Sequence, residues 1–241
     1  MQPLAILEPG RMGYAPAGAL QQELVRRRAA GEIPDTLVLL EHAPVITLGR
    51  NAKAQNLLAG TAELAARGVE VAECDRGGDV TYHGPGQLVG YPILDLRASA
   101  RPAFLPPKAG RLELGPVEYV RALEEVLIRV AGDAGLAARR IPGLTGVWTA
   151  QEPARKLAAI GIHVARGITS HGFALNVRDE LANFGLIVPC GIHARGVTSL
   201  ARESGRAWTL AEAAALVKMR FLEVFARELA AAAISWDDKS S

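Results

Sequence analysis

Hydrophobic and polar positions change their period several times along the chain, and each change marks an element. Leu4–Glu8 and Thr36–Glu41 are short apolar runs bounded by Pro or Gly, the form of strands. Ala17–Ala30 between them has helical spacing. Ala62–Arg67 predicts a short helix ended by Gly68, and Val69–Glu73 alternates as a half-buried strand does. A glycine-dense turn region from Gly77 to Gly90 follows. Gln87–Leu96 resumes as a strand, in which Pro92 predicts an edge position or a bulge.

Ser99–Pro116 carries four prolines and two glycines and is expected to be a long loop within one domain. Val117, Val120, Leu123, Leu127 and Val130 then recur at helical spacing, so Val117–Ala131 is expected to be an amphipathic helix burying that face. Gly146–Ala150, Lys156–Ala165 and Ile168–Val177, with Gly or Pro in each gap, read as a meander of antiparallel strands. Thr209 with Glu212 forms a capping box opening a last helix whose apolar face continues toward Leu229. Ser235–Ser241 is expected to be a frayed polar tail. There is no internal repeat, and residues 1–241 fit one domain.

Composition narrows the functional classes. With 49% hydrophobic and 22% charged residues the chain is globular, and a net charge of +2 gives no general attraction to nucleic acid or to an anionic membrane. Residues 137–206 hold nine basic side chains against four acidic ones. That local excess either docks an acidic partner or forms a solvated face. The two cysteines, Cys74 and Cys190, are too far apart for a disulfide framework or a zinc motif. Together with the absence of a leader or a long apolar run, free thiols suggest the cytoplasm.

Three features carry chemistry. In the run Arg76, Gly77, Gly78, Asp79, Val80, Thr81, Tyr82, His83, the glycines either let the backbone approach a ligand or simply turn the chain. It lacks the Gly-Lys-Ser/Thr ending of a phosphate loop. Cys190 stands between Pro189 and Gly191, a setting that presents sulfur at a loop mouth, whereas Cys74 reads as a small buried residue within its strand. Lys156 opens an apolar strand. It either snorkels to solvent or supplies the cation that favours a thiolate; His83, His163, His171 and His193 are further candidates for that partner.

The blocks RGGDVTYHGPGQLVGYPILDL, GVW with RKLAAIGIHVARGITSHGFALNV, and FGLIVPCGI together resemble the lipoyl(octanoyl) transferase family. The resemblance implies an α+β fold shared with biotin and lipoate protein ligases: a single domain with a mixed, largely antiparallel sheet flanked by helices. It also implies an acyl-thioester cysteine at Cys190 and a proton-handling lysine at Lys156. Substrate-binding segments would fall on Arg76 to His83, on Ala159, Ile160 and Gly161, and on Gly172, Phe173 and Ala174. The implied donor is octanoyl-acyl carrier protein. The acceptors would be lipoyl domains of 2-oxoacid dehydrogenase complexes and the glycine-cleavage carrier protein, with no metal or other cofactor. Ser99–Pro116 is longer than the connection this family implies. The rival readings are an ATP-dependent lipoate or biotin protein ligase, and a non-catalytic module binding lipoyl domains or carrier protein.

Overall fold

The computed structural model describes residues 2–99, 101–106, 114–188 and 195–231. Eight strands form the main sheet: β1 (Gln2–Met12), β2 (Asp35–His42), β6 (Gln87–Ile93), β7 (Ala138–Ile141), β8 (Leu144–Thr149), β9 (Lys156–Ala165), β10 (Ile168–Asn176) and β11 (Arg227–Leu229). Their order is β11-β1-β2-β6-β10-β9-β8-β7. β1 pairs in parallel with β2 and β11, and every other neighbour is antiparallel. A second sheet, β4-β3-β5, joins β3 (Val45–Leu48), β4 (Glu70–Glu73) and β5 (Val80–His83). This is the mixed, largely antiparallel α+β domain expected.

Helix α1 (Tyr14–Ala29) covers one face of the main sheet. α3 (Pro116–Asp133) and α5 (Leu210–Val224) cover the other, where Leu37, Leu39, Leu88 and Leu175 meet Leu123, Leu127 and Phe221. Short helices α2 (Thr61–Ala66) and α4 (Leu200–Ser204) complete the set. Each large apolar side chain fully buried here stabilises the fold by about 1.5–3 kcal/mol before chain entropy is charged against it. The Thr209 capping box forms as expected: Glu212 N–H donates to Thr209 Oγ1 at 3.1 Å, and Thr209 N–H to Glu212 Oε2 at 2.7 Å.

Several expectations are corrected. Pro92 lies in a central strand, opposite Leu37 of β2. The β6–β10 ladder has already ended at Gly90↔Phe173, and Thr169 takes over beyond it, its Oγ1 donating to Pro92 O and accepting from Leu94 N–H. The prolyl nitrogen therefore faces a gap where no N–H is needed. The region Gly77–Gly90 contains a true strand, β5. β4, at one edge of its sheet, is largely exposed, Val71 included. α3 opens on Pro116, leaving Val117 in its first turn 72% exposed, and packs on the sheet through Tyr119, Ala122, Leu123, Val126, Leu127 and Val130.

The last helix stops at Val224. Arg227 is drawn into the sheet by a buried ion pair with Asp35 at 2.8 Å, overriding the helical periodicity. β3, β7 and α4 carried no strong pattern and were not expected. Cys74 follows β4, half-buried, with its thiol donating to Leu48 O at 3.3 Å rather than packing as an apolar core group. Part of the Ser99–Pro116 loop, and the tail Ser235–Ser241, lie outside the described residues. Arg139, Arg140, Arg155, Arg178, Arg195, Arg202 and Arg206 each pair with a carboxylate, so the basic excess is mostly neutralised where it stands. No helix of the described residues is long and apolar enough to cross a membrane.

Candidate active site

A narrow cleft lies on the α1 side of the main sheet, roofed by the loop from Arg76 to Asp79. Its floor is β9 and β10, with β6 alongside. Of the residues singled out from sequence, Arg76, Gly77, Gly78, Asp79, Thr81, His83, Ala159, Ile160, Gly161, Gly172, Phe173 and Ala174 all line it. Three segments separated by up to about a hundred residues converge because antiparallel pairing sets Ala174 opposite Ala159 and Gly172 opposite Gly161.

Val80 and Tyr82 do not line the cleft. Successive side chains of β5 alternate, so Thr81 and His83 face the cleft while Val80 and Tyr82 enter the core shared with Phe184 and Leu186. The roof is built rather than loose. Gly77 N–H donates to Ile162 O at 2.8 Å, which commits that N–H, and Asn51 N–H donates to Gly78 O at 3.1 Å. Arg76 anchors on Thr47, donating from Nε and Nη2 to Oγ1 at 3.1 and 2.8 Å and from Nη2 to the carbonyl at 2.7 Å. Asp79 accepts from Lys53 N–H, Val80 N–H and the Asn56 amide. A side chain at Gly161 would strike Gly77 O at 2.7 Å, so roof and floor can meet only over glycine.

Lys156 is 95% buried at the start of β9, and a bulge decides where it points. The β8–β9 ladder runs Val147↔Ala158 and then Trp148↔Lys156, leaving Leu157 as an extra residue. Leu157 and Ala158 consequently both pack into the α3–α5 core, and Lys156 returns to the face of Gly146, Trp148 and the cleft residue Ala159. Its Nζ stands 4.8 Å from the centre of the Trp148 ring, a cation–π contact that Arg195 shares at 6.0 Å.

Pro189, Cys190, Gly191 and His193 lie outside the described residues. Both ends of their segment are tied to the site. Val188 N–H donates to Asn56 O at 2.8 Å, the Asn56 amide being the one that holds Asp79. On the other side, Lys156 N–H donates to Gly196 O and Lys156 O accepts from Thr198 N–H, both at 2.9 Å. The chain leaving the Cys190 segment thus pairs with the backbone of Lys156 itself.

The far end of the cleft holds two residues the sequence reading passed over, Tyr14 and Tyr91, with the His42 ring packed behind them. His42 Nδ1–H donates to Met12 O at 3.1 Å, so its Nε2 accepts from Tyr91 O–H at 2.6 Å, which requires a neutral ring. Burial enforces this, lowering the His42 pKa to about 4. Burial also holds His83 well below the usual histidine range, with its Nδ1–H on Gln87 Oε1 at 3.2 Å. His171 bonds Asp75 through Nε2 at 2.7 Å, and His163 bonds Arg50 at 2.8 Å. Burial lowers the His171 pKa despite Asp75. A signal for Tyr91 was available: in Gln87–Ile93 it shares a face with Val89. Tyr14, on α1, had none. Among the described residues no cluster of three His, Cys, Asp or Glu side chains has the form of a metal site.

Residues 13–222 match the family model described as the lipoyl protein ligase A/B catalytic domain. The chain is 53% identical over 226 residues to an octanoyltransferase of Koribacter versatilis, covering 94% of this chain and 86% of that one. It is 57% identical over 203 residues to an octanoyltransferase of Acidobacterium capsulatum, covering 83% and 80%. Among solved structures it superposes on the bipartite lipoate protein ligase of Thermoplasma acidophilum, studied with its E2 lipoyl domain. There the TM-score is 0.75 at 15% identity, covering 100% of this chain and 90% of that one. A lipoate-protein ligase A bound with ATP superposes with a TM-score of 0.69 at 15% identity, covering 99% and 91%. At such identities the structural likeness is one of fold.

Proposed function

The chain belongs to the lipoyl protein ligase A/B catalytic domain family and is an acyltransferase of octanoyl groups, and we propose that it works through a Cys190 thioester with Lys156 handling the protons. The observation that carries this is the bulge at Leu157. It turns a buried lysine onto the cleft face while that lysine's own backbone holds the chain emerging from the Cys190 segment.

The donor is octanoyl-acyl carrier protein. The Cys190 thiolate, favoured by the Lys156 ammonium, attacks the donor carbonyl. The new S–C bond forms as the bond to the phosphopantetheine sulfur breaks, and that sulfur departs with the proton from Lys156. The neutral Lys156 amine then takes a proton from the acceptor lysine as its nitrogen attacks the acyl-enzyme, forming the amide and releasing the Cys190 thiolate. Thioester to amide runs downhill, so ATP has no part. The acceptors are lipoyl domains, including those of 2-oxoacid dehydrogenase complexes and the glycine-cleavage carrier protein. Arg76 to Asp79, Thr81 and His83, with Ala159 to Gly161 and Gly172 to Ala174, enclose the acyl chain.

Intact-mass analysis after incubation with octanoyl-acyl carrier protein tests the scheme. The wild type should gain one octanoyl group and Cys190→Ser none. The same mass gain on Cys190→Ser, or one mapped to Cys74, overturns it. ATP–pyrophosphate exchange dependent on octanoate would instead favour a ligase.

A further inference from the structure

Sheet register orders the cleft along its length. Starting from Lys156, β9 and β10 present Ala159 opposite Ala174, then Gly161 opposite Gly172, then Ile162 opposite His171, and then His163 opposite Ser170. The first two pairs belong to the cleft. Ser170 and His163 instead line a second, larger cavity, partly open to solvent, between α1 and β4. The two cavities share Tyr14 and His171 and no other lining residue.

Both shared side chains are held in place. His171 has φ +55°, a left-handed kink in β10, with its N–H on Gln21 Oε1 at 2.8 Å and its ring on Asp75 at 2.7 Å. Tyr14, in the first turn of α1, sets its hydroxyl beside the Cys74 thiol and its ring 5.5 Å from that of His42. Beside them, the Gly77–Ile162 hydrogen bond closes roof onto floor.

The length available is short. A strand rises about 3.3 Å per residue, so the steps from Lys156 to Gly161, one of them spent in the bulge, cover roughly 13–16 Å. An extended eight-carbon chain built from bonds of about 1.5 Å runs about 10 Å. The remainder matches the reach of the lysine side chain and the reacting carbonyl.

We propose that Tyr14 and His171 form the end wall of the acyl cleft and set its chain-length limit, with the second cavity as unused space beyond. This rests on acyl transfer at the Lys156 end of the cleft. Removing the wall should join the cavities and let longer chains run through.

Two readouts test it together: calorimetric binding of straight-chain fatty acids from eight to fourteen carbons, and intact-mass loading from the corresponding acyl carrier proteins. The variants are Tyr14→Ala and His171→Gly, the latter suited to a left-handed backbone. In the wild type both readouts should fall off beyond about eight to ten carbons. Each variant should raise the dodecanoyl-to-octanoyl ratio at least tenfold, and Ser170→Phe added to Tyr14→Ala should reverse the gain by refilling the space behind the wall. Unchanged ratios in both variants, with folding verified by circular dichroism, overturn the wall, as does a gain that Ser170→Phe leaves untouched. A wild type that binds with the expected cutoff and loses it in the variants, yet forms no acyl adduct, supports the wall and removes the Cys190 scheme instead.

Discussion

The two faces of the main sheet are built on opposite rules. On the α3–α5 side, Leu37, Leu39, Leu88, Leu175, Leu123, Leu127 and Phe221 interlock as aliphatic and aromatic groups. On the α1 side, the sheet presents Gly161, Gly172 and Tyr91 to the cleft, with His42 bonded behind Tyr91 and Lys156 buried on the same face. A strand serves both faces because its side chains alternate, and where alternation would send Lys156 to the wrong one, a bulge corrects it. Stability and chemistry are thereby separated by the thickness of one sheet, and substitutions on the two faces should fail in different ways.

The largest effect should come from the chemical face. Lys156→Met is expected to lower octanoyl transfer by about 10²–10⁴-fold, with a melting temperature close to wild type, since a methionine replaces a buried cation without leaving a hole. A steady-state assay beside a thermal melt reads both. Asp35→Ala breaks the contrast at its base. Asp35 is 97% buried and accepts from Arg227, Arg28 and Asp95 N–H. Its loss strands a buried guanidinium, at about 3–5 kcal/mol in urea unfolding.

Leu127→Ala, wholly on the packed face, should cost about 2–5 kcal/mol while the folded fraction keeps its kcat/KM. A matching fall in kcat/KM would dissolve the separation. Acid probes the cleft face. In the unfolded chain His42 takes its proton near pH 6.5, but in the fold not until about pH 4. Between those values the unfolded state binds the extra proton, so this contribution is complete above pH 6.5 and declines as pH falls toward 4, by about 3 kcal/mol. Denaturant midpoints from pH 8 to 4 should show the decline, and His42→Gln should flatten it. Smallest is Gly90→Ala, at about 1–3 kcal/mol, because its Cβ would meet the Phe173 ring at 2.2 Å. The effect reaches both faces, so stability and acyl binding should move together.

Legibility divided along similar lines. The central strands, α1, α3 and the α5 capping box were readable because each reflects a local period or a local hydrogen bond. Pro92 misled because its gap is filled by Thr169, some seventy-five residues away, and the α5 boundary misled because Arg227 answers to Asp35 across the molecule. In the site, the glycine loop and the β9–β10 residues were found through their motifs. Val80 and Tyr82 came along with the run although their side chains face the other core, and Tyr14 and His42 were missed because no neighbour in sequence explains them.

By itself the sequence determined most of the elements, the family and the residue types available for acyl transfer, since these depend on local spacing and on motifs read in order. Only the tertiary structure decided that Lys156 lies on the cleft face of the sheet, that Arg76 commits its guanidinium to Thr47, and that Tyr14 and His171 are shared by the two cavities. Those outcomes depend on register, on a one-residue bulge and on contacts between distant strands, and a one-residue change in register reverses which face a side chain occupies.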